Sequence, residues 1–295
     1  APRPPAAPPA PPGFDAARAW RHLERLVAIG PRAAGTPGGR AAQELIAAEL
    51  AARGLAPVRE EFVADTPLGP LPLANVWAEA PGAARPGGAP APIVVLASHF
   101  DTKRLPFAFV GANDGGSGVA VLLELARGIA ADPARRAVSY RFLFTDGEEA
   151  VRREWVGDDN TYGARHHVAA RRSDGTLDRI AACVVLDLVG DRDLGLIHEL
   201  GSSPELVALF FSAARRIGLG AVVGAGSREI EDDHLPFLAA GIPSVDLIDF
   251  DFGPRHSWWH SERDVLAACS PASLEAVGRI VLAGLPDLEE WILAR

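Results

Sequence analysis

Short apolar runs alternate with helix-like segments along most of this chain, and this alternation limits the folds that it can adopt. Strand-like runs are predicted at residues 58–63, 73–79, 93–97, 138–145, 180–188 and 244–248. Helical spacing of apolar residues is predicted at 14–29, 36–53, 119–130, 161–170, 204–217 and 271–293. Alternating strands and helices favour an α/β fold. We therefore predict a single domain with a mixed, mostly parallel central β-sheet that is flanked by helices on both faces.

Length and charge limit the classes of partner. The chain has 295 residues, which fits one large α/β domain or two small ones, and its net charge is −9. No basic run stands out, so nucleic acid is not expected as a partner. No apolar stretch is long enough and free enough of charge to span a bilayer. No heptad pattern or pairing element is evident, and we expect a monomer.

The chain begins with a Pro-rich stretch of low complexity, APRPPAAPPAPPG. We expect residues 1–13 to be a disordered leader that precedes a single α/β domain at 14–295. The sequence contains no Met, and we expect an exported protein, periplasmic or secreted, whose signal peptide has been removed. The two cysteines, Cys183 and Cys269, lack the spacing of a thiolate metal site. A disulfide between them is left open.

Carboxylate and imidazole side chains follow the predicted strands at the points where the strands end. They are His99, Asp101, Asp114, Glu148, Glu149, Asp187 and His260. In sheets of this kind ligands bind beyond the carboxyl ends of the strands, so we expect these side chains to gather at one edge. Imidazoles and carboxylates are the ligand set of zinc and related divalent ions. The sequence therefore predicts a metal site at this edge of the sheet.

The adjacent carboxylates of Glu148 and Glu149 are the clearest sign of such a site. They follow an apolar run in the segment FLFTDGEEA, residues 142–150. Two like charges that are held close together repel each other, so something nearby has to compensate them. A bound cation would do so if one carboxylate binds the metal and its neighbour transfers protons.

Each of these residues also has a purely structural interpretation. His99 could be a hydrogen-bonded histidine at a strand end, and Asp114 could cap the next helix. The glutamate pair could lie in a solvated loop. Their joint placement at strand ends favours a functional site. Other catalytic patterns are absent, because GGSGV at 115–119 lacks the last glycine of a nucleophile elbow, and no phosphate-binding or dinucleotide fingerprint is present.

Seven segments, in the order of the sequence, resemble the glutaminyl-peptide cyclotransferases of the animal type, which are zinc enzymes with the fold of the M28 zinc aminopeptidases. The segments are SHFDTK, GANDGGSGVAVLLELAR, FLFTDGEEA, YGARH, LDLVGD, EDDHLPFLAAGIP and WWHSERD. The likeness extends from about Thr36 to the C-terminus. The skeleton of His-x-Asp, Asp, Glu-Glu, Asp and His is common to both families. The cyclotransferase is favoured by DTK after His99, by Trp155 with the downstream YGARH, by EDDHLPFL and by Trp259.

The resemblance implies one zinc ion per protein molecule, bound by Asp114, Glu149 and His260. It implies that Glu148 is the general acid and base. The implied reaction converts the N-terminal glutamine of peptides or proteins to pyroglutamate and releases ammonia. Zinc would polarise the γ-amide carbonyl, and Glu148 would move a proton from the attacking α-amine to the departing ammonia. An N-terminal glutamate is left open as a further substrate.

The resemblance also implies roles for four residues around the glutamate pair. Asp187 and Asp232 would form an acidic hydrogen-bond network, and Trp155 and Trp259 would line the pocket for the substrate side chain. Taken alone, both tryptophans could be ordinary packing. Asp232 could cap a short helix at 234–240.

The sequence departs from the animal enzymes at several positions. Ser98 and Val119 stand where those enzymes carry a disulfide. Asp246 stands where they carry a histidine, which puts the substrate-side hydrogen bonding in question. The loop AVRRE is one residue longer, so Trp155 could be displaced. Lys103, in DTK, is compatible with an ordinary solvated residue.

Two other functions remain open. An M28-type aminopeptidase would bind a second metal through His99 and Asp187. Asp114 would then bridge the two ions, and Glu148 would activate a water molecule. The other alternative is a non-catalytic protein that recognises N-termini, although such a protein has no need of both adjacent carboxylates.

Overall fold

Helices and strands alternate in this computed structural model, which describes residues 13–83, 85, 88–132 and 137–295. The helices are α1 (Ala16–Val27), α2 (Pro37–Ala51), α3 (Ser117–Ala130), α4 (Tyr162–Ser173), α5 (Pro204–Arg216), α6 (His234–Ala239) and α7 (Pro271–Leu293). The strands are β1 (Val58–Thr66), β2 (Gly69–Ala80), β3 (Ile93–His99), β4 (Ser139–Thr145), β5 (Ile180–Asp187), β6 (Leu196–Glu199), β7 (Val223–Arg228) and β8 (Ser244–Ile248). Apart from Gly13, the leader predicted at 1–13 lies outside the described residues, and the domain boundary at 14 stays a prediction.

The central sheet has six strands in the order β1-β2-β4-β3-β5-β8. The pairs β4–β3, β3–β5 and β5–β8 are parallel, whereas β1–β2 and β2–β4 are antiparallel. Strands β6 and β7 form a separate parallel pair. The predicted α/β fold with a mixed, mostly parallel sheet is therefore confirmed.

Helices cover both faces of this sheet, and the alternation of side chains along β3 shows how. Val94 and Leu96 belong to the larger core, which includes residues of α1, α2, α3, α5 and α7. Val95 and Ala97 belong to the opposite core, with residues of α4 and α6. Strands that are buried on both faces have nearly continuous apolar sequences, and these apolar runs allowed the strands to be predicted.

The sequence located most elements to within a few residues and missed two. Thr36 caps α2 through its side chain, with Pro37 at the first helical position, as predicted. Strand β2 begins at Gly69 instead of residue 73, because its first half pairs only with β1 and an unpaired edge tolerates the prolines there. Strands β6 and β7 were not among the predicted elements, whereas α6 lies where a short helix at 234–240 was considered. Most of β7 is exposed and it contains two glycines, so it has no apolar alternation.

Two smaller points follow from the described residues. None of their helices is long and apolar enough to cross a membrane. Cys183 and Cys269 are both buried and both free, so the disulfide that the sequence left open is not formed.

Candidate active site

The ends of three parallel strands bring polar side chains to one edge of the sheet. Strand β3 ends at His99 and β5 ends at Asp187. Strand β4 ends three residues before Glu148. β3 lies between β4 and β5 in the sheet. The chain therefore passes from β3 to β4 on one side and then from β4 to β5 on the other side of β3. Where successive connections lead to opposite sides in this way, a crevice forms at the carboxyl ends of the strands. The loop after β8 brings His260 to the same place, so the predicted strand-end residues meet.

Asp114, Glu149 and His260 form a compact group whose potential ligand atoms lie within 4.8 Å of one another. Nε2 of His260 lies 2.9 Å from Glu149 Oε1 and 3.3 Å from Asp114 Oδ2. Asp114 Oδ2 and Glu149 Oε2 are buried and have no hydrogen-bond partner. Buried polar atoms are normally paired, and two carboxylates with one imidazole suit zinc, so the group fits a metal ion. Asp114 does not cap α3, whose N-cap is Gly116 without a side-chain hydrogen bond.

A second group of potential ligands shares Asp114. His99 Nε2 lies 3.1 Å from Asp187 Oδ1 and 3.4 Å from Asp114 Oδ1. One oxygen of Asp114 therefore faces each group, which is the arrangement of a bridging carboxylate. The positions of these side chains are compatible with one ion or with two.

Glu148 lies beside the first group and is only 6% exposed. Its Oε2 is 3.8 Å from Nδ1 of His99. Burial raises the pKa of Glu148 well above its usual range; His99 opposes this, and the charges of Asp232 and Glu149 add to it. A buried carboxyl group of raised pKa in a cleft is suited to taking up and releasing a proton during a reaction.

Two buried aspartates fix the backbone that carries these groups. Asp101 is fully buried and accepts hydrogen bonds from the backbone amides of Glu148, at 3.0 Å, and Glu149, at 3.3 Å. Asp264 accepts from the amides of residues 113–114 at 2.7 and 3.0 Å. Each carboxylate thus positions the backbone of a potential metal ligand. Asp101 was noted from the sequence, whereas Asp264 gave no signal there.

Lys103 is not a solvated residue, contrary to the interpretation from sequence. It is 2% exposed, and its Nζ lies 3.5 Å from Glu149 Oε2. The same nitrogen donates a hydrogen bond to the carbonyl of Ala150 at 2.9 Å and lies 5.5 Å from the centre of the Trp155 ring. The protein therefore supplies a fixed positive charge that compensates part of the glutamate pair.

Backbone strain is concentrated at this edge. His260 has φ of 50°, and Leu188, directly after Asp187, has φ of 51°. Left-handed backbone is unfavourable for side chains of this size, at about 1–3 kcal/mol per residue. Such strain persists where the surroundings fix a conformation, and it is common at functional sites.

A pocket with a cavity volume of about 270 Å³ opens beside these side chains, and Glu148 and His260 contribute to its lining. Its apolar walls include Trp155, Trp259 and Phe250. The Trp259 ring stacks on the His260 ring, with centroids 3.8 Å apart. Trp155 reaches the wall although its loop is longer, so the extra residue does not displace it from the pocket.

The rim of this pocket is formed by residues that the sequence did not single out. Arg228, Glu229, Ile230 and Glu231, at the end of β7 and just after it, line the opening. Arg228 lies 3.4 Å from the carboxylate of Asp251, so its charge is paired. The two glutamates are exposed and leave the rim with a negative charge. The sequence could indicate this rim only if strand β7 had been predicted, and β7 has no alternation of apolar and polar residues that would reveal it.

Asp232 and Asp246 lie deeper, next to the pocket. Asp232 is 2% exposed and does not cap α6, whose N-cap is Asp233. Burial raises the pKa of Asp232 to about 6, and the charge of Asp187 adds to the rise. Asp246 is 1% exposed, and neither of its carboxylate oxygens has a hydrogen-bond partner.

Comparison with known proteins gives a consistent set of relatives. The model of peptidase family M28 matches residues 75–285. A mouse glutaminyl-peptide cyclotransferase-like protein is 31% identical over 266 residues, which cover 77% of this chain and 64% of that protein, so the chain spans somewhat less than two thirds of this relative. The crystal structure of an Acidobacteriales bacterium glutaminyl cyclase is 34% identical, with a TM-score of 0.89, and the match covers 98% of this chain and 99% of that one.

A third relative shows that the fold is shared more widely. A leucine aminopeptidase precursor from Bacteroides thetaiotaomicron superimposes with a TM-score of 0.81 at 24% identity, over 93% of this chain and 97% of that one. At this level of identity the likeness concerns the fold alone. The side chains of the site have to decide between the two chemistries.

Proposed function

The chain belongs to peptidase family M28, and on that premise we propose that it is a zinc-dependent glutaminyl-peptide cyclotransferase. Its substrates would be peptides or proteins that begin with glutamine, and its products pyroglutamate and ammonia. One observation carries the proposal: Glu148 and the group of Asp114, Glu149 and His260 line the same small, aromatic-walled pocket. The likeness to a bacterial glutaminyl cyclase over nearly the whole length of both proteins supports it.

Asp114, Glu149 and His260 would hold a single zinc ion. Their buried oxygens that make no hydrogen bond and their donor types support this assignment. When bound, zinc would act as a Lewis acid on the γ-carboxamide oxygen of the substrate. The contact of His260 with Glu149 at 2.9 Å and that of His99 with Asp187 at 3.1 Å are of the same kind, so these distances do not distinguish one ion from two.

Glu148 would carry the proton through the reaction. It takes a proton from the α-amine as the amine nitrogen attacks the carbon of the γ-amide. It then gives a proton to the amide nitrogen, which departs as ammonia. A bond forms between the α-nitrogen and the γ-amide carbon, the bond from that carbon to the amide nitrogen breaks, and no water is consumed. Asp187 and Asp232 would belong to the acidic network around Glu148, since Asp232 contributes to its raised pKa.

The aromatic walls would position the reacting groups. The side chain of glutamine is small enough for a pocket of about 270 Å³, which Trp155 and Trp259 help to line. Holding the amine and the amide in attack geometry is the main requirement of an intramolecular reaction. The negative rim would attract the cationic α-ammonium group of an arriving peptide.

The test is mass spectrometry on two peptides, one starting with glutamine and one with leucine, each incubated with the zinc-loaded protein. We expect the glutamine peptide to lose ammonia and the leucine peptide to stay intact. Glu148→Gln should slow the conversion by about 10²–10⁴-fold while zinc content is retained. Removal of the N-terminal leucine would contradict the proposal.

A dinuclear aminopeptidase is the second candidate, because Asp114 faces both ligand groups. In that case His99 and Asp187 would bind the second ion, and Glu148 would activate water. Two exchangeable metal ions per protein molecule, together with cleavage of the leucine peptide, would establish this alternative.

We further propose an exported monomer, as the Pro-rich start and the absence of pairing elements predicted. Cell fractionation and light scattering of the purified protein would test the two points separately.

A further inference from the structure

A second cavity borders the catalytic pocket and takes no part in the proposed reaction. It has a volume of about 400 Å³ and lies between helices α4 and α6. We call it the interhelical groove, and its floor includes Val168 of α4 with Leu235 and Ala239 of α6. Glu231 lines both this groove and the catalytic pocket, so the two cavities adjoin at that residue.

The two helices that border the groove begin at the active-site edge of the sheet and run away from it. Helix α4 follows β4, whose end leads to Glu148, and α6 precedes β8, whose end leads to His260. Strands β4 and β8 both belong to the parallel part of the sheet. A helix that returns the chain between parallel strands runs against them. The groove therefore leads away from the catalytic pocket along both helices.

One face of α4 forms a wall of the groove. Four residues of this helix line it, namely Arg165, Val168, Ala169 and Arg172. Their positions follow the pattern i, i+3, i+4 and i+7, which places them on one side of a helix. Leu235, on the α6 side, is only half-buried. The groove thus offers an apolar strip that solvent can reach, with an arginine at each end of the α4 wall.

The charges of the groove are separated along its length. Its acidic side chains lie in the loops before α4 and α6, and they are Asp158, Glu231 and Asp232. The first arginine, Arg165, is already engaged at this end, since it donates hydrogen bonds to the backbone carbonyls of Asp158 and Asn160. The end of the groove nearest the catalytic pocket therefore carries an excess of negative charge.

Arg172 supplies a free positive charge at the other end. It is exposed and forms no ion pair within the described part of the chain. A peptide whose N-terminus lies in the catalytic pocket has the complementary arrangement, with an ammonium group at one end and, where the peptide has one, a carboxylate further along. Complementary charges of this kind fix the direction in which a chain binds.

The length of the groove sets the distance at which a carboxylate can reach Arg172. Thr161, at the start of α4, also lines the groove. The rise of the helix from Thr161 to Arg172 is about 16 Å. An extended peptide advances about 3.3–3.6 Å per residue, so a carboxylate on about the fifth residue of a substrate would come close to Arg172.

We propose that the interhelical groove binds the part of a peptide substrate that follows its N-terminal glutamine, and that Arg172 favours a carboxylate on about the fifth residue. The carboxylate can belong to an acidic side chain or to the C-terminus of a short peptide. This inference rests on the proposed cyclotransferase function and specifies its substrate class. Peptides of this length and charge should be better substrates than dipeptides.

The test is the rate of ammonia release from four peptides that begin with glutamine and continue with alanine. One is a dipeptide amide. Two are pentapeptide amides that end in glutamate or in lysine, and the fourth is a pentapeptide that ends in alanine with a free carboxylate. We expect both carboxylate-bearing pentapeptides to have a KM about two- to fivefold lower than the lysine peptide, the range of an exposed ion pair, at unchanged kcat. Comparing these two peptides separates the side-chain carboxylate from the C-terminal one.

Arg172→Glu then tests whether the preference arises in the groove. With each KM expressed relative to that of the dipeptide, the variant should reverse the order, so that the lysine pentapeptide has the lowest KM. Arg215→Glu is the matched control, because Arg215 is also exposed and also lies in the last turn of a helix, α5. Helix α5 packs on the opposite face of the sheet. The control changes the net charge equally and should keep the wild-type order.

Two results would overturn the inference, and they can be told apart. Equal KM values for the pentapeptides, or an order that Arg172→Glu leaves unchanged, would refute the role of the groove and leave the proposed function intact. If no peptide releases ammonia, the proposed function fails and the inference fails with it.

Discussion

Asp101→Asn tests whether the buried carboxylate of Asp101 controls the position of Glu148 and Glu149. Both oxygens of Asp101 accept backbone hydrogen bonds, from Glu148 and from Glu149. Asparagine keeps one acceptor and turns the other into a donor, so one buried amide loses its partner and faces an N–H group. A buried donor without a partner costs about 1–3 kcal/mol. We expect the free energy of unfolding to fall by about 2 kcal/mol.

The same substitution should affect function more than stability. A shift of this backbone moves the potential ligand Glu149 and the proton carrier Glu148 together. Loss of such an outer partner typically lowers metal affinity or activity by about 10–100-fold. The assays are zinc competition with a chelating dye, the rate of ammonia release from a glutamine peptide, and urea unfolding.

Asp159→Asn is the matched control. Asp159 is 6% exposed and accepts hydrogen bonds from the amides of Val151 and Arg152, both at 3.0 Å, in the loop just after the glutamate pair. It should lose stability to a similar extent and keep its zinc affinity. Equal zinc affinities in the two variants would refute the reasoning, because the effect of Asp101 would then be a general loss of packing.

Three further predictions follow from the same contacts. Glu148→Gln should slow cyclisation by about 10²–10⁴-fold at unchanged zinc content, and a rate near that of the wild type would remove Glu148 from the chemistry. Lys103→Met should weaken zinc binding little but lower expression or stability, because it leaves Glu149 without the neighbouring ammonium group. Calorimetry would measure the melting temperature of the variant, and an unchanged value would contradict the prediction. Burial is the largest single influence and would raise the pKa of Glu60, but the hydrogen bonds from His167 and Asn75 and the charges of His167 and Arg171 together lower it to about 2. The contribution of ionised Glu60 to the free energy of unfolding is therefore complete above pH about 4.5 and is lost as the pH falls towards about 2, by at most about 3 kcal/mol. In Glu60→Gln, the free energy of unfolding measured with urea should fall less steeply between these pH values. An unaltered pH dependence would disprove the assignment.

The parts of the site that lie at strand ends were predictable from sequence. Runs such as 93–97 and 180–188 mark buried strands, and the polar residues after them must reach the same edge once the strands are parallel. This placed His99, Glu148 and Asp187 together from the pattern alone. His260 follows β8 by twelve residues. The strand-end pattern placed it among the candidates, and the resemblance of WWHSERD to a known family gave it the specific role of a zinc ligand.

Other parts depend on tertiary contacts that leave no periodic signal. Lys103 was compatible with a solvated residue because a single lysine in a loop usually is one, whereas its burial arises from Glu149 and Trp155 around it. The rim around Arg228 follows β7, a short exposed strand with glycines. Asp264 acts on a backbone segment about 150 residues away, and this distance cannot be inferred from spacing.

The most direct test of the central claim is to run the reaction in water labelled with a heavy isotope of oxygen, with a peptide that begins with glutamine. Because the attacking group is the substrate's own amine, we predict a pyroglutamyl peptide without label and one ammonia released per peptide. Label in a newly formed carboxylate, from a hydrolysed amide or a cleaved peptide bond, would contradict the account. Glu148 would then have to be assigned to the activation of water.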